Sequence, residues 1–273
     1  FHDSNPLYVS RGNPGLKQAH SLEVAVVGNN IVSGGTVEYS SSFSYMINDI
    51  VSTRTYYASE TVIDGYTLPA GATFSTYDNY TGGMRWNNNI RYSALVQPLR
   101  YKIDLSASYF FSKSPSFVNG RFENYISHMP SLIIGARSNF SAYYKLDFTL
   151  SGNMDMTESQ YYGPMNYSRL SASVFSDNRI NDWLFVKAGY KHLSRIPMGE
   201  RGVRLDTDML NASAGVYLMD SKLCIALVFR DILNNTPSIN TSAYSNYLET
   251  VTAGNMNRYA LLSIRYLFNS SEK

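Results

Sequence analysis

The sequence predicts an all-β protein, and more specifically an antiparallel transmembrane β-barrel, from three observations. Apolar and polar residues alternate along long segments, which gives each predicted strand one apolar face. The opposite face is rich in Ser, Asn, Thr and Tyr, since only 16% of the residues are charged while 14% are aromatic. The connections between segments alternate between short and long, as they do in bacterial outer-membrane barrels.

Composition and charge exclude several other classes of protein. A disordered chain has few aromatic residues, and a helical membrane protein needs about 18 consecutive apolar residues. The longest apolar run here has seven residues, Leu223 to Phe229. The net charge of +2 gives no indication of a nucleic-acid partner. The only cysteine, Cys224, excludes an intramolecular disulfide, and we interpret it as a small packed apolar residue.

The alternation predicts about eleven strands. Tyr101 to Ser112 is typical, because its apolar face begins and ends with aromatic residues, as lipid interfaces favour. A tilted strand needs about 9–11 residues to cross a membrane, and most segments exceed that length. The predicted strands cover residues 19–29, 36–52, 76–96, 100–112, 124–138, 141–157, 166–178, 182–195, 207–219, 222–234 and 255–269.

Short and long predicted connections alternate along the whole chain. Short links are expected at 29–35, 97–99, 139–140, 178–181 and 220–221, and long links at 53–75, 113–123, 158–165, 195–206 and 235–254. If the C-terminus is periplasmic, every short link is periplasmic and every long link is extracellular. Single-chain bacterial barrels close with even strand numbers, so eleven strands indicate either a miscount by one or part of a larger barrel. The start at Phe1, without Met or a leader, indicates a mature chain or an excised fragment.

Four motifs occur in order along the chain. Residues 12–17, GNPGLK, followed by Ser21-Leu22-Glu23, resemble a segment of the β-barrel of the TonB-dependent receptor family, in the variant common among Bacteroides-like bacteria. In that family the segment precedes a strand in the second half of the barrel. The stretch 77–83 resembles the entry into a long strand, 229–235 the penultimate-strand motif, and 257–268 the closing strand. The resemblance spans residues 5–268 and departs from the pattern at Gly15, Gln18 and the tail 269–273.

The resemblance implies a barrel of 22 strands that surrounds an N-terminal plug, so residues 1–273 would be the C-terminal part of the barrel domain. The plug and the first barrel strands would then be absent from this chain, and TonB would act through that absent region. The implied function is energised solute uptake across the outer membrane of a Gram-negative bacterium. The implied partners are outer-membrane lipid, the plug, the remaining strands and a surface lipoprotein. Two alternatives stay open: a passive porin or other self-contained barrel, and a non-transporting surface-binding protein.

No residue pattern predicts catalysis, a cofactor or a metal site, and we expect this chain not to be an enzyme. The histidines His2, His20, His128 and His192 have no metal-ligand spacing, and His192 is expected at the lipid interface. A Ser-His-Asp esterase that uses Asp147 or Asp182 is conceivable, but the chain has no G-x-S-x-G motif. We interpret Asp231, Asn234 and Asn235 as a turn cluster, since Asx residues favour turns, rather than as an ion site.

Charged residues in the polar phase are expected to face the barrel lumen, where they pair across strands or contact a plug. They are Arg85, Arg91, Lys102, Asp104, Lys145, Asp147, Lys187 and Arg265. The two longest loops are rich in tyrosines that could stack on a sugar or peptide, namely Tyr56, Tyr57, Tyr66, Tyr244 and Tyr247. The sequence does not identify the solute.

Overall fold

The computed structural model describes residues 2–5, 7–32, 34–97, 99–138, 141, 143–158, 166–199, 203–235, 239–243, 248–252 and 258–268. This part of the chain is an all-β structure, and none of its elements is a helix that is long and apolar enough to span a membrane. The strands are β1 (His2–Asn5), β2 (Tyr8–Ser10), β3 (His20–Val32), β4 (Gly35–Ile47), β5 (Asp49–Tyr57), β6 (Thr61–Ile63), β7 (Tyr66–Leu68), β8 (Ala72–Tyr80), β9 (Gly83–Val96), β10 (Tyr101–Val118), β11 (Arg121–Ser138), β12 (Tyr144–Glu158), β13 (Tyr167–Arg179), β14 (Leu184–Pro197), β15 (Leu205–Leu218), β16 (Leu223–Arg230), β17 (Ile239–Ala243), β18 (Leu248–Thr252) and β19 (Tyr259–Tyr266).

Eleven strands form one antiparallel sheet, which we call the wall: β3, β4, β9 to β16 and β19. Each strand pairs with the next one in this series, and none of the ten ladders contains a register shift. The predicted number of strands is therefore confirmed. We call the end of the wall with the connections 33–34, 97–100, 139–143, 180–183 and 219–222 the turn end, and the opposite end the loop end.

Two of the predicted strands were too long. The segments 36–52 and 76–96 are each interrupted, at Asn48 and at Gly82, which adopt positive φ angles of 54° and 116°. A positive φ leaves the extended conformation of a strand. The two interruptions lie at the same level, because Gly82 N donates to Met46 O and Asn48 N donates to Thr81 Oγ1.

The predicted long link at 113–123 was wrong. Strands β10 and β11 continue to Val118 and Arg121 and are joined by a two-residue turn, Asn119-Gly120. Both turn residues have positive φ angles, 51° and 72°, which suit the tight turn that Asn-Gly favours in hairpins. The polar residues Lys113, Ser114 and Ser116 gave this stretch the composition of a loop, although it is extended hairpin.

The predicted loop 53–75 is structured, and together with β2 it forms a small unit at the loop end. We call β2, β5, β6, β7 and β8 the outer unit. Its core consists of Val9, Leu68, Ala72 and Phe74, against which Tyr57, Ile63 and Tyr66 pack. The unit also contacts the wall, since Tyr56 N donates to Asn119 Oδ1 and Asn119 N donates to Arg54 O.

Candidate functional site

The register brings the apolar phases of all wall strands onto one face, which we call the apolar face. One row across it contains Ile90, Ala107 and Leu132, and another contains Ile134, Leu150 and Ala172. Successive side chains of a strand point to opposite faces of the sheet. A one-residue slip in any ladder would therefore have moved the apolar side chains of all strands beyond that ladder to the opposite face. The unshifted ladders therefore confirm the alternation that the sequence predicts.

Charge divides sharply between the two faces of the wall. On the apolar face of the described wall strands the only Lys or Arg is Lys113, and the only acidic residues are Glu158, Asp206 and Asp208. All four lie near the loop end. The remaining charged residues of these strands lie on the opposite face, which we call the polar face.

The apolar face is exposed, although it carries most of the large apolar side chains of the wall. Leu132, Leu150 and Leu262 are 52%, 53% and 67% exposed. None of its described apolar residues is buried, whereas the buried apolar residues of the wall, Phe185 and Ala226 among them, lie on the polar face. Exposed apolar patches of more than a few hundred Å² mark a membrane or partner surface.

The polar face carries ion pairs that join neighbouring strands. Arg91 Nη2 and Arg137 Nη2 lie 2.8 Å and 3.1 Å from the carboxylate of Asp104, and Lys187 Nζ lies 2.8 Å from Asp177 Oδ2. The structure therefore places Arg91, Asp104 and Lys187 in cross-strand pairs, as their phase predicts. The other predicted residues form no ion pair with a described residue but lie on the same face: Arg85, Lys102, Lys145, Asp147 and Arg265. Cys224 also lies on this face, half-buried, opposite Tyr217 and Arg265.

The wall has two edges among the described residues. Strand β3 pairs only with β4, and β19 pairs only with β16. Ten antiparallel pairs separate these two strands, so β3 and β19 run in the same direction. A direct pairing of β3 with β19 would therefore be parallel, unlike every other ladder of the wall.

His192 lies at the loop end of the apolar face, as its sequence position predicts, but it has a partner that the sequence did not indicate. His192 Nδ1 lies 2.8 Å from Asp208 Oδ1, and the Tyr190 hydroxyl donates to the same oxygen at 2.6 Å. This pairing depends on the register of β14 against β15, which is not a local property of the sequence. We call Tyr190, His192, Ser194, Asp206 and Asp208 the rim cluster.

The rim cluster continues towards the loop end through Asp206, which accepts hydrogen bonds from the Ser194 hydroxyl and from Arg204 Nε. These two bonds lower the pKa of Asp206. Asp206 lies farther from Leu218, the turn end of β15, than the roughly 11 residues that a tilted strand needs to cross a membrane. Its lowered pKa favours the ionised carboxylate at the loop end of the apolar face.

The other predicted residues do not form a catalytic arrangement in the described structure. His128 Nδ1 lies 2.7 Å from the Tyr109 hydroxyl, and His20 is exposed at the start of β3. His2 lies in β1, and its side chain is outside what the structure describes. Asp147 lies on the polar face, and Asp182 accepts a hydrogen bond from the Tyr143 hydroxyl at the turn end, so neither completes a Ser-His-Asp set.

The cluster after β16 has the hydrogen bonds of a turn. Asn234 N donates to Asp231 O, Asn235 N donates to Asp231 Oδ1, and both Asp231 and Asn234 have positive φ angles. Asn234 Oδ1 also accepts from Arg258 N, which fixes the start of the last strand. Within the described ranges, no three His, Cys, Asp or Glu side chains converge on a possible metal position.

The loop tyrosines have different roles. Tyr57 and Tyr66 pack on the core of the outer unit, whereas Tyr56 is 57% exposed. Tyr244 and Tyr247 lie outside the described residues. Of the described tyrosines Tyr56, Tyr57 and Tyr66, only Tyr56 has an exposed ring that is available for stacking on a sugar or peptide.

Two of the sequence motifs contact each other at the loop end. Asn13 Nδ2 donates to Tyr77 O, and Gly15 N donates to Asn13 Oδ1. Asn79 accepts from Lys17 N and donates to both Lys17 O and Asn48 O. The segment 12–17 is therefore tied by two asparagines to the interruption between the wall and the outer unit.

The fold and its two faces define an all-β protein with a large antiparallel sheet, consistent with a β-barrel membrane protein in general. No protein-family model, curated protein or solved structure matches this chain.

Proposed function

We propose that this chain is the C-terminal part of an outer-membrane β-barrel, with the apolar face against lipid and the polar face towards the lumen. The separation of charge between the faces carries this proposal. In lipid, an Arg or Lys at the midplane of a barrel costs about 2–4 kcal/mol, and the one Lys on the described apolar face, Lys113, lies near the loop end opposite Met84. Aromatic side chains such as Trp86 and Tyr109 lie on this face near the loop end, where a membrane interface favours them.

The wall edges support the view that further strands complete the barrel. Unpaired backbone groups are costly in lipid, which is why membrane barrels are closed. Because β3 and β19 run in the same direction, an odd number of additional strands closes the sheet with antiparallel pairs throughout. Eleven further strands, as in a barrel of 22, satisfy this condition, whereas a second copy of the wall satisfies it only when it is inverted relative to the first.

We further propose that the complete barrel belongs to a TonB-dependent receptor that imports a solute. The support is the order and spacing of the four motifs, together with the contact between two of them through Asn13 and Asn79. In this proposal the wall is a scaffold, the charged residues of the polar face contact a plug, and the outer unit lies on the cell surface. The remaining strands, the plug, TonB and a surface lipoprotein are the proposed partners.

The test uses the full-length protein. We expect a plug domain and a short TonB-contacting segment upstream of Phe1, heat-modifiable migration on gels, and binding of the periplasmic domain of TonB that is lost when that segment is deleted. In planar bilayers the plugged barrel should conduct poorly. A steady open channel without an upstream plug would instead identify a passive porin, and solubility without detergent as a monomer would exclude the barrel.

A further inference from the structure

A groove of about 280 Å³ lies on the apolar face across β11 to β14. It is open because Ala136 and Ala172 are small, whereas the side chains around them are large. The large side chains that line it are Ile134, Phe148, Leu150, Val174 and Tyr190. The groove therefore has the shape and chemistry of a slot for a single hydrocarbon chain.

The groove adjoins the rim cluster. Ala172 pairs directly with His192, which pairs directly with Asp208, so the floor of the groove and the carboxylate belong to one row. Tyr190 belongs to both sites, because its ring lines the groove while its hydroxyl donates to Asp208 Oδ1. A tyrosine whose ring contacts apolar side chains while its hydroxyl is hydrogen-bonded is typical of the boundary between apolar and polar layers.

The formal charge of the side chains at this boundary determines which kind of lipid headgroup would bind beside the groove. Asp206 and Asp208 contribute −2 and Arg204 contributes +1, so these three side chains have a formal charge of −1. Asp208 is about one third exposed, and its Oδ2 has only a long contact, 3.5 Å, with Asn235 Nδ2. This oxygen can accept from a cation, whereas Lys113, the one Lys or Arg on the apolar face of the described strands, lies on β10 and does not line the groove.

We propose that the groove holds one acyl chain of a membrane lipid whose headgroup bears an ammonium group, and that the ammonium donates to Asp208. The lipid then lies with its chain against Ala172 and its headgroup above Tyr190. This site rests on the proposed membrane location of the wall, but it does not depend on TonB or on a solute. It fixes a lipid against β13 and β14.

The experiment places the full-length protein in nanodiscs of equal parts phosphatidylethanolamine and phosphatidylglycerol with identical chains, and counts retained lipids by native mass spectrometry. We expect one retained lipid, with phosphatidylethanolamine enriched about two- to fivefold, the range that one exposed ion pair supplies. Asp208→Asn should reduce the enrichment to about one. Ala172→Phe, which fills the groove, should abolish retention.

The matched control is Ala107→Phe, the same substitution at an exposed position of the apolar face on β10, which should retain the lipid. Retention by Ala172→Phe, or equal retention of both lipids by the unsubstituted protein, would overturn the lipid site while leaving the barrel intact. Failure of the unsubstituted protein to enter nanodiscs would instead overturn the proposed membrane location.

Discussion

The wall and the outer unit treat apolar residues in opposite ways. In the outer unit, Val9 and Leu68 are almost completely buried, and the residues around them form a core as in a water-soluble domain. In the wall, Leu132 and Leu150 are more than half exposed and no described apolar residue of the apolar face is buried. Both regions consist of β-strands, so the difference in the burial of their apolar side chains reflects what covers those side chains. In the proposed membrane location, water surrounds the outer unit and lipid surrounds the wall.

The largest expected effect comes from the core of the outer unit. Leu68→Ala should destabilise that unit by about 2–5 kcal/mol, because it removes a fully buried side chain and leaves a cavity. Hydrogen exchange of the amides in β5 and β8 measures this loss locally. Leu132→Ala is the matched control, since it truncates an exposed side chain of the wall, where lipid would fill the space in the proposed membrane location. Equal losses at both sites would break the comparison.

The next effect tests the two faces of the wall at neighbouring residues. Leu150→Arg should cost about 2–4 kcal/mol near the membrane midplane, whereas Thr149→Arg, which faces the other side, should be tolerated. The yield of heat-modifiable full-length protein and its denaturant midpoint measure the difference. If both variants assembled equally well, the assignment of the faces would be wrong.

A third effect concerns close packing within the ladders of the wall. A Cβ at Gly215 would lie 2.5 Å from Ile225 O and 2.7 Å from Phe185 Cζ, whereas one at Gly135 would meet nothing closer than 3.7 Å. Gly215→Ala should therefore cost about 1–3 kcal/mol and Gly135→Ala much less. Unfolding midpoints in detergent compare the two. Both glycines lie on the polar face, so this pair sharpens the comparison by locating the close packing of that face next to Phe185 and Ile225.

The smallest effect comes from an ion pair of the polar face. Lys187 and Asp177 lie 2.8 Å apart, and both side chains are partly exposed. Lys187→Gln should cost only about 0.2–1 kcal/mol, and the cost should decrease as salt is added. A loss above that range that is insensitive to salt would indicate that the lumen excludes water around this pair.

The wall was predictable because strand alternation is a local property with a period of two. The sequence of each strand therefore shows which of its residues share a face. The hairpin at Asn119-Gly120 was also signalled locally, but the polar composition of 113–123 concealed it. The outer unit could not be predicted in the same way, since its core joins Val9 to Leu68 and Phe74 across long separations. The pair of His192 with Asp208 likewise depends on register, which local patterns do not specify.

The most direct test of lipid contact is a spin-label scan of residues 145–151 in β12, performed in lipid with the full-length protein. The account predicts that labels at 146, 148 and 150 are accessible to oxygen and shielded from a water-soluble nickel reagent, while labels at 145, 147, 149 and 151 show the reverse. Accessibility to the nickel reagent without this alternation, or strongest at Leu150, would contradict it.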